Sequence, residues 1–176
     1  MFQTTWPTEQ DIASLDAATP TYVLDAESDS VQPLQAIRFL ADPESAKKVH
    51  PLITAGTVTS TTSDDSSGAR RSVVHFVDTL NLCGYLMNTE YDAVMALQPT
   101  KGRKPPLRAY FYTETSGVRV AHSLEVSAKA GGGSCVRQKV VIEAPWYLRF
   151  YVVRTARKAH TEALESSMRY LSCNTS

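Results

Sequence analysis

The sequence is poor in the features that announce a chemistry. It holds three cysteines in 176 residues, Cys83, Cys135 and Cys173. They are odd in number and unpatterned, which argues against a disulfide framework. With no CxxC and no Cys/His cluster, structural zinc is disfavoured too, and the expectation is free thiols in a reducing compartment. No charge of one sign prevails: 18 Lys plus Arg stand against 18 Asp plus Glu. There is accordingly no electrostatic case for nucleic acid or an anionic membrane as partner. No apolar run approaches the ~20 residues of a membrane span. The opening Met1-Phe2-Gln3-Thr4-Thr5-Trp6-Pro7 lacks a basic n-region and an apolar h-region, so the reading is a cytoplasmic protein without a secretory signal. There is no GxSxG, HExxH or P-loop, and Gly131-Gly132-Gly133 lacks both the spacing and the Rossmann crossover of a dinucleotide turn. Those glycines read as a hairpin turn. The expectation is no metal and no cofactor.

What is present is an ordinary globular composition, 43% hydrophobic and 20% charged, in a chain of single-domain length. Residues 1–18 are polar and mixed and read as a surface arm, with one domain over residues 19–176. Thr19 to Leu24 reads as a first strand, opened by a proline that suits an edge. Asp29 or Ser30 is placed to cap a helix through Leu34, Ile37 and Leu40 with Pro33 in its first turn. Asp42-Pro43-Glu44 repeats that signature for a second short helix ending near His50-Pro51. Strands follow: Thr57–Thr62, Arg71–Leu80, Met87–Leu97, Leu107–Glu114, Val118–Val126 and Ser134–Glu143, separated by turn chemistry such as Ser63 to Gly68 and Ser116-Gly117. From Pro145 the chain runs without glycine or proline to its end, with Leu148, Val152, Thr155, Ala159, Ala163 and Tyr170 on one helical stripe. Ala156, His160, Leu164 and Leu171 flank that stripe.

Consecutive strands on short loops favour an antiparallel meander. Such a sheet has a face to bury, and the last helix is the one element long enough to cover it. The fold class is therefore α+β: a curved antiparallel sheet of about seven strands wrapped around a long C-terminal helix, with two short helices after the first strand.

This order resembles the START and polyketide-cyclase-like (SRPBCC, helix-grip) superfamily. More narrowly, through Val49-His50-Pro51-Leu52-Ile53-Thr54 and Thr155-Ala156-Arg157-Lys158-Ala159-His160, the chain resembles a fungal single-domain group that often accompanies natural-product pathways. The resemblance implies an apolar ligand held between sheet and helix. It implies in turn either a cofactor-independent cyclase or isomerase, Diels–Alder type included, acting on a fungal secondary-metabolite intermediate, or a non-catalytic carrier or sensor of a lipid or polyketide-like molecule. A third alternative is an interaction module with a filled interior. The oligomeric state stays open, a homodimer included.

Candidate catalytic residues follow from polar groups on apolar faces. His122 alternates with Val118, Val120, Leu124 and Val126, and His160 flanks the helix stripe beside Ala156. An imidazole in a dry pocket can donate to a carbonyl or take a proton near neutral pH. For both, a core histidine satisfied by a neighbour remains an alternative. Gln138 shares a face with Val136 and Val140, and Tyr91 shares one with Met95. These two, with Met95, Phe111, Val120, Leu124, Ala156 and the aromatic residues Trp146 and Phe150, are expected to contact substrate, a structural amide for Gln138 and a core role for Tyr91 and the helix aromatics remaining alternatives.

Overall fold

The computed structural model describes residues 7–82 and 85–174. Cys83 and residues 1–6 of the expected arm lie outside them, and so does the side chain of Met87. The elements are α1 (Glu9–Ala17), β1 (Tyr22–Ser28), α2 (Pro33–Leu40), α3 (Pro43–Val49), β2 (Ile53–Asp64), β3 (Ala69–Leu82), β4 (Tyr85–Leu97), β5 (Leu107–Thr115), β6 (Val118–Ala128), β7 (Ser134–Glu143) and α4 (Trp146–Cys173). The strands form one curved seven-stranded antiparallel sheet in the order β1-β7-β6-β5-β4-β3-β2. The meander runs from β2 to β7, and β1 closes the edge by pairing with β7, Tyr22 opposite Val140. This is a helix-grip architecture.

Register decides which residues look inward. One continuous row crosses the sheet through Met95, Phe111, His122, Val140 and Tyr22. A parallel row one pleat away runs through Leu97, Ala109, Leu124, Gln138 and Leu24. Because side chains alternate between faces with period two, these rows and Val74 and Phe76 on β3 all present to α4, α2 and α3.

The long helix does two jobs along its length. At 28 residues it spans about 42 Å at 1.5 Å per residue. Its C-terminal half is core: Leu164, Met168 and Leu171 are buried with Val31, Ala36 and Ile37 from the α2 region and with Leu124, Val126 and Val136 from the sheet. Burying side chains of this size contributes about 1.5–3 kcal/mol each. Its N-terminal half packs Val152, Val153 and Ala156 on Tyr22, Val140 and Ile142 and, with Leu148, borders open space. Tyr170, expected on the apolar stripe, is 43% exposed and stacks on Phe39 with ring centres 5.3 Å apart.

Two other expectations are corrected. Residues 9–17 are not irregular: Thr8 and Asp11 form a reciprocal capping box that starts α1. That helix lays Ile12 and Leu15 on the outer sheet face against Val94, Tyr110 and Tyr112, so the sheet buries part of both faces. The cap of α2 is Gln32, whose side chain makes no capping bond. Asp29 is drawn away by Lys129 at 2.7 Å. Asp42 does cap α3, accepting from the Ser45 N–H at 3.1 Å. Among the described residues no helix is long and apolar enough to cross a membrane.

The glycine turn before β7 has a packing reason. A Cβ on Gly133 would lie 2.0 Å from the Ser28 carbonyl oxygen, whereas one on Gly131 meets nothing within 4 Å. Both have positive φ, 83° and 95°. Gly131→Ala should thus cost only the backbone strain of that region, about 1–3 kcal/mol. Gly133→Ala should cost clearly more, because the β1 end must also move. Urea unfolding of the two variants checks this, and equal losses would contradict it.

Candidate functional site

Between the sheet and the N-terminal half of α4 lies a cavity of about 700 Å³. Its wall is mostly apolar: Phe76, Met95, Phe111, Val120 and Leu124 from the sheet, Leu148, Val152 and Ala156 from the helix, and Leu40, Val49 and Ile53 at the α2–α3 side. The space persists because the helix residues above it are small. Ala156, Ala159 and Ala163 leave the backbone standing away from the sheet where leucines would fill the gap. Besides single hydroxyls such as Thr113, Thr155 and Ser167, titratable groups gather in this wall in two places.

The first is a histidine cluster. His122 on β6, His160 on α4 and His50 at the end of α3 come together, with ring centres 4.9 Å apart for His122–His160 and 5.9 Å for His50–His160. Phe111 packs on His122 at 4.3 Å. The Gln138 side-chain nitrogen lies 2.8 Å from His122 Nδ1. An amide nitrogen only donates, so Nδ1 accepts and the ring proton resides on Nε2. That Nε2 is buried and has no partner, and the same holds for His50 Nδ1. The Tyr22 hydroxyl lies 2.7 Å from His160 Nδ1, fixing that ring from the sheet edge.

Burial disfavours the imidazolium in all three rings. It pushes His160 down to about 3, with a smaller contribution from His50, and His50 down to about 4. His122 is held well below the usual range, first by burial and then by the charge of the other two rings. Near neutral pH the cluster is therefore neutral. The fourth histidine, His75, sits on the solvent side between Asp92 and Glu90 and is raised by the Asp92 hydrogen bond.

The second polar place is on β3 and β4. Tyr91 donates its hydroxyl to Asp78 Oδ2 at 3.0 Å, and Asp78 Oδ1 is buried without a partner. Asp78 is 8% exposed, and burial raises its carboxyl to about 6 against the lowering effect of the Tyr91 bond. Among the described residues no Lys or Arg lines the cavity. Nor does any group of three or more His, Cys, Asp or Glu among them take up an arrangement that could hold a metal ion.

Of the residues singled out from the sequence, His122, His160, Tyr91, Gln138, Met95, Phe111, Val120, Leu124 and Ala156 all line this cavity. Trp146 and Phe150 do not. They are 88% and 77% exposed and border an open groove on the outer side of α4, with Arg149, Arg154 and Arg157. The helical phase explains the difference: Leu148, Tyr151, Val152 and Thr155 take the inward side of those turns, so Trp146, Tyr147 and Phe150 turn outward. Three polar residues were missed as site residues. Asp78 had a legible signal, since it shares parity with Val74 and Phe76 on an apolar face. His50 sat in view within Val49-His50-Pro51 but had no periodic context, and Tyr22 looked like edge-strand surface.

No protein-family profile matches the chain, and no curated protein does. Solved structures do match its fold. Human STARD10 superposes with a TM-score of 0.63 at 11% identity, covering 94% of this chain and 82% of that one. A START superfamily protein from Mycobacterium smegmatis gives 0.53 at 11% identity over 85% and 97% of the two chains. The protein TTHA0849 from Thermus thermophilus gives 0.58 at 14% over 88% and 100%. The chain thus has a START/SRPBCC-like fold, and these identities speak for the fold alone.

The depressed histidines make stability pH-dependent. In the unfolded chain each takes up a proton as pH falls through about 6.5. In the folded chain His50 and His160 do so only near about 4 and 3. Their stability contribution is complete above about 6.5 and is lost between there and the folded values, at up to about 1.4 kcal/mol per pH unit for each ring. Asp78 opposes this with one proton, because its raised carboxyl binds before an unfolded aspartate does. Urea unfolding between about pH 7 and 4 should show stability falling, and His160→Phe should flatten the slope by roughly one proton. An unchanged slope, or His160 titrating near its ordinary value by NMR, would count against the arrangement.

Proposed function

We propose that this protein binds an apolar small molecule in the cavity and, without a cofactor, promotes its cyclisation or isomerisation, a Diels–Alder-type step included. The observation that carries the reading is the unpartnered Nε2–H of His122 within an apolar wall. Leaving a buried donor without a partner costs about 1–3 kcal/mol, and a ligand oxygen supplies what the protein does not. A carbonyl is the fitting partner. A neutral imidazole donor draws electron density toward the oxygen, which polarises an enone or dienophile and steadies the charge that develops in an enolisation. Gln138 keeps the tautomer and Phe111 keeps the ring plane, so the donor is oriented before the ligand arrives. The apolar wall contributes by holding a flexible chain near its reactive conformer, an effect that reaches several kcal/mol in oriented systems.

A second reading has its own support. The same cavity, with its hydrogen bonds used only for recognition, would serve a carrier or sensor, and the fold is similar to those of human STARD10 and a START superfamily protein from Mycobacterium smegmatis. A natural-product intermediate of fungal type fits either reading.

The two separate on incubation of the purified protein with extracts of a strain lacking its gene, followed by mass spectrometry. A change of retention time at constant mass, or loss of one water, supports catalysis; enrichment of an unchanged compound supports carriage. His122→Ala should then lower turnover, or affinity for the carried compound, by about ten-fold or more with a cooperative fold retained. Full activity per folded molecule in that variant would reduce the histidines to structure, and failure of the protein to retain or convert any apolar compound would end both readings.

A further inference from the structure

The cavity has two polar places, and they differ in kind. At the histidine cluster the protein offers donors that are neutral. At Asp78 it offers an acceptor. Three strand steps separate β3 from β6, and Asp78 stands six residues along β3 from Ser72, which shares the row of His122, so the two places lie roughly 20–25 Å apart along the sheet at ~4.8 Å per step and ~3.3 Å per residue, with Phe76, Thr113 and Val120 among the residues between. A ligand that satisfies both must be long, apolar in the middle and polar at its ends.

What Asp78 asks for can be read from its surroundings. Its Oδ2 already accepts from Tyr91, while its Oδ1 is buried and empty of partners on a side chain more than nine-tenths buried. The charged and titratable groups around it give no cation. Lys47 of α3 is held by Glu44 at 2.8 Å and by the Gly56 carbonyl at 3.1 Å. His50, His122 and His160 are neutral, Tyr91 is raised by burial, and Glu90 on the next strand turns its carboxylate to His75 on the solvent side. A buried carboxylate without a counter-charge is costly, and in natural proteins it is paired or it titrates. We infer that Asp78 and Tyr91 form a recognition site for a protonated amine at one end of an elongated apolar ligand, whose other end carries the oxygen that His122 bonds. The inference deepens the reading of the cavity given above and rests on it. With a carbonyl-bearing end at His122 and an ammonium at Asp78, each unpartnered atom gains its complement and the ligand has one orientation.

The test uses dodecylamine, dodecanol and dodecanoate as probes of one chain length, titrated calorimetrically into the full-length protein near neutral pH. The amine should bind about ten-fold or more tighter than the other two, the size expected of a charge-assisted hydrogen bond in a dry site. Asp78→Asn should remove that preference and leave dodecanol within about two- to three-fold of its original affinity, because a neutral amide still accepts a hydroxyl. Tyr91→Phe, which keeps the carboxylate, should keep the preference. Where Asp78→Asn does not fold, the unmodified protein at about pH 5 gives the same readout: with Asp78 largely protonated the amine's advantage should shrink, the alcohol's affinity holding. Equal binding of all three probes, or tighter binding of dodecanoate, overturns the amine site while leaving the cavity reading intact. Failure of every probe to bind overturns the cavity reading and the amine site with it.

Discussion

The structure depends on a gap that the long helix holds open. A sheet curved this strongly must cover its inner face, and α4 covers it unequally. Its last turns pack leucine and methionine into the sheet and α2, with Leu164, Met168 and Leu171 buried. Its middle turns carry Ala156, Ala159 and Ala163 above the same face, beside a cavity of about 700 Å³. The core at one end anchors the helix, and toward the other Val152, Val153 and Ala156 pack on Tyr22, Val140 and Ile142, so the cavity persists beside two packed stretches. Wall atoms that face this space forgo packing contacts a filled core would supply, and the tightly packed part of the helix offsets that loss. The fold and the candidate site are thus two ends of one packing arrangement.

That gap sets the chemistry of what faces into it. Water-poor surroundings disfavour charge on any side chain, and the three imidazoles respond by staying neutral. Neutrality makes each ring both a donor and an acceptor, so its hydrogen bonds must be assigned to particular nitrogens. Gln138 does this for His122, while the Tyr22 hydroxyl, which can donate or accept, holds the His160 ring in place. Both partners come from the β1–β7 edge that closes the sheet behind the cluster. The edge strands are therefore part of the site, through the rings they hold.

The architecture was legible in the sequence because it rests on periodicity and order. Strict alternation from Val118 to Val126 located β6 and pointed His122 inward, and the run without glycine or proline after Pro145 located α4. The cavity wall was read by the same parity, residue by residue, for Tyr91, Met95, Phe111, Val120, Leu124 and Gln138. What failed was helical phase near the helix start. Trp146 and Phe150 are large and apolar, and composition alone favours them as wall, but the angle at which the helix docks turned them outward. The outer helix α1 was missed because its apolar content is two residues, Ile12 and Leu15, and its signal lay in the capping box. The meeting of His50 with His160 joins residues 110 positions apart by an α3–α4 contact that no local pattern encodes.

The two polar places also invert an order familiar from water. In solution an imidazole near 6.5 is a stronger base than an aspartate near 3.9. Inside the cavity burial moves both toward neutrality in opposite senses, and Asp78 near 6 stands above His50 near 4 and His160 near 3. A proton entering this space settles on the carboxylate first and leaves the imidazoles as they are. Acidification to about pH 5 accordingly changes the acceptor end while the donor end keeps its tautomers. The cavity is asymmetric in its response to pH as well as in its hydrogen bonding. The low basicity of the cluster follows from its burial, and with it the rings stay neutral and offer hydrogen-bond donors to a ligand oxygen.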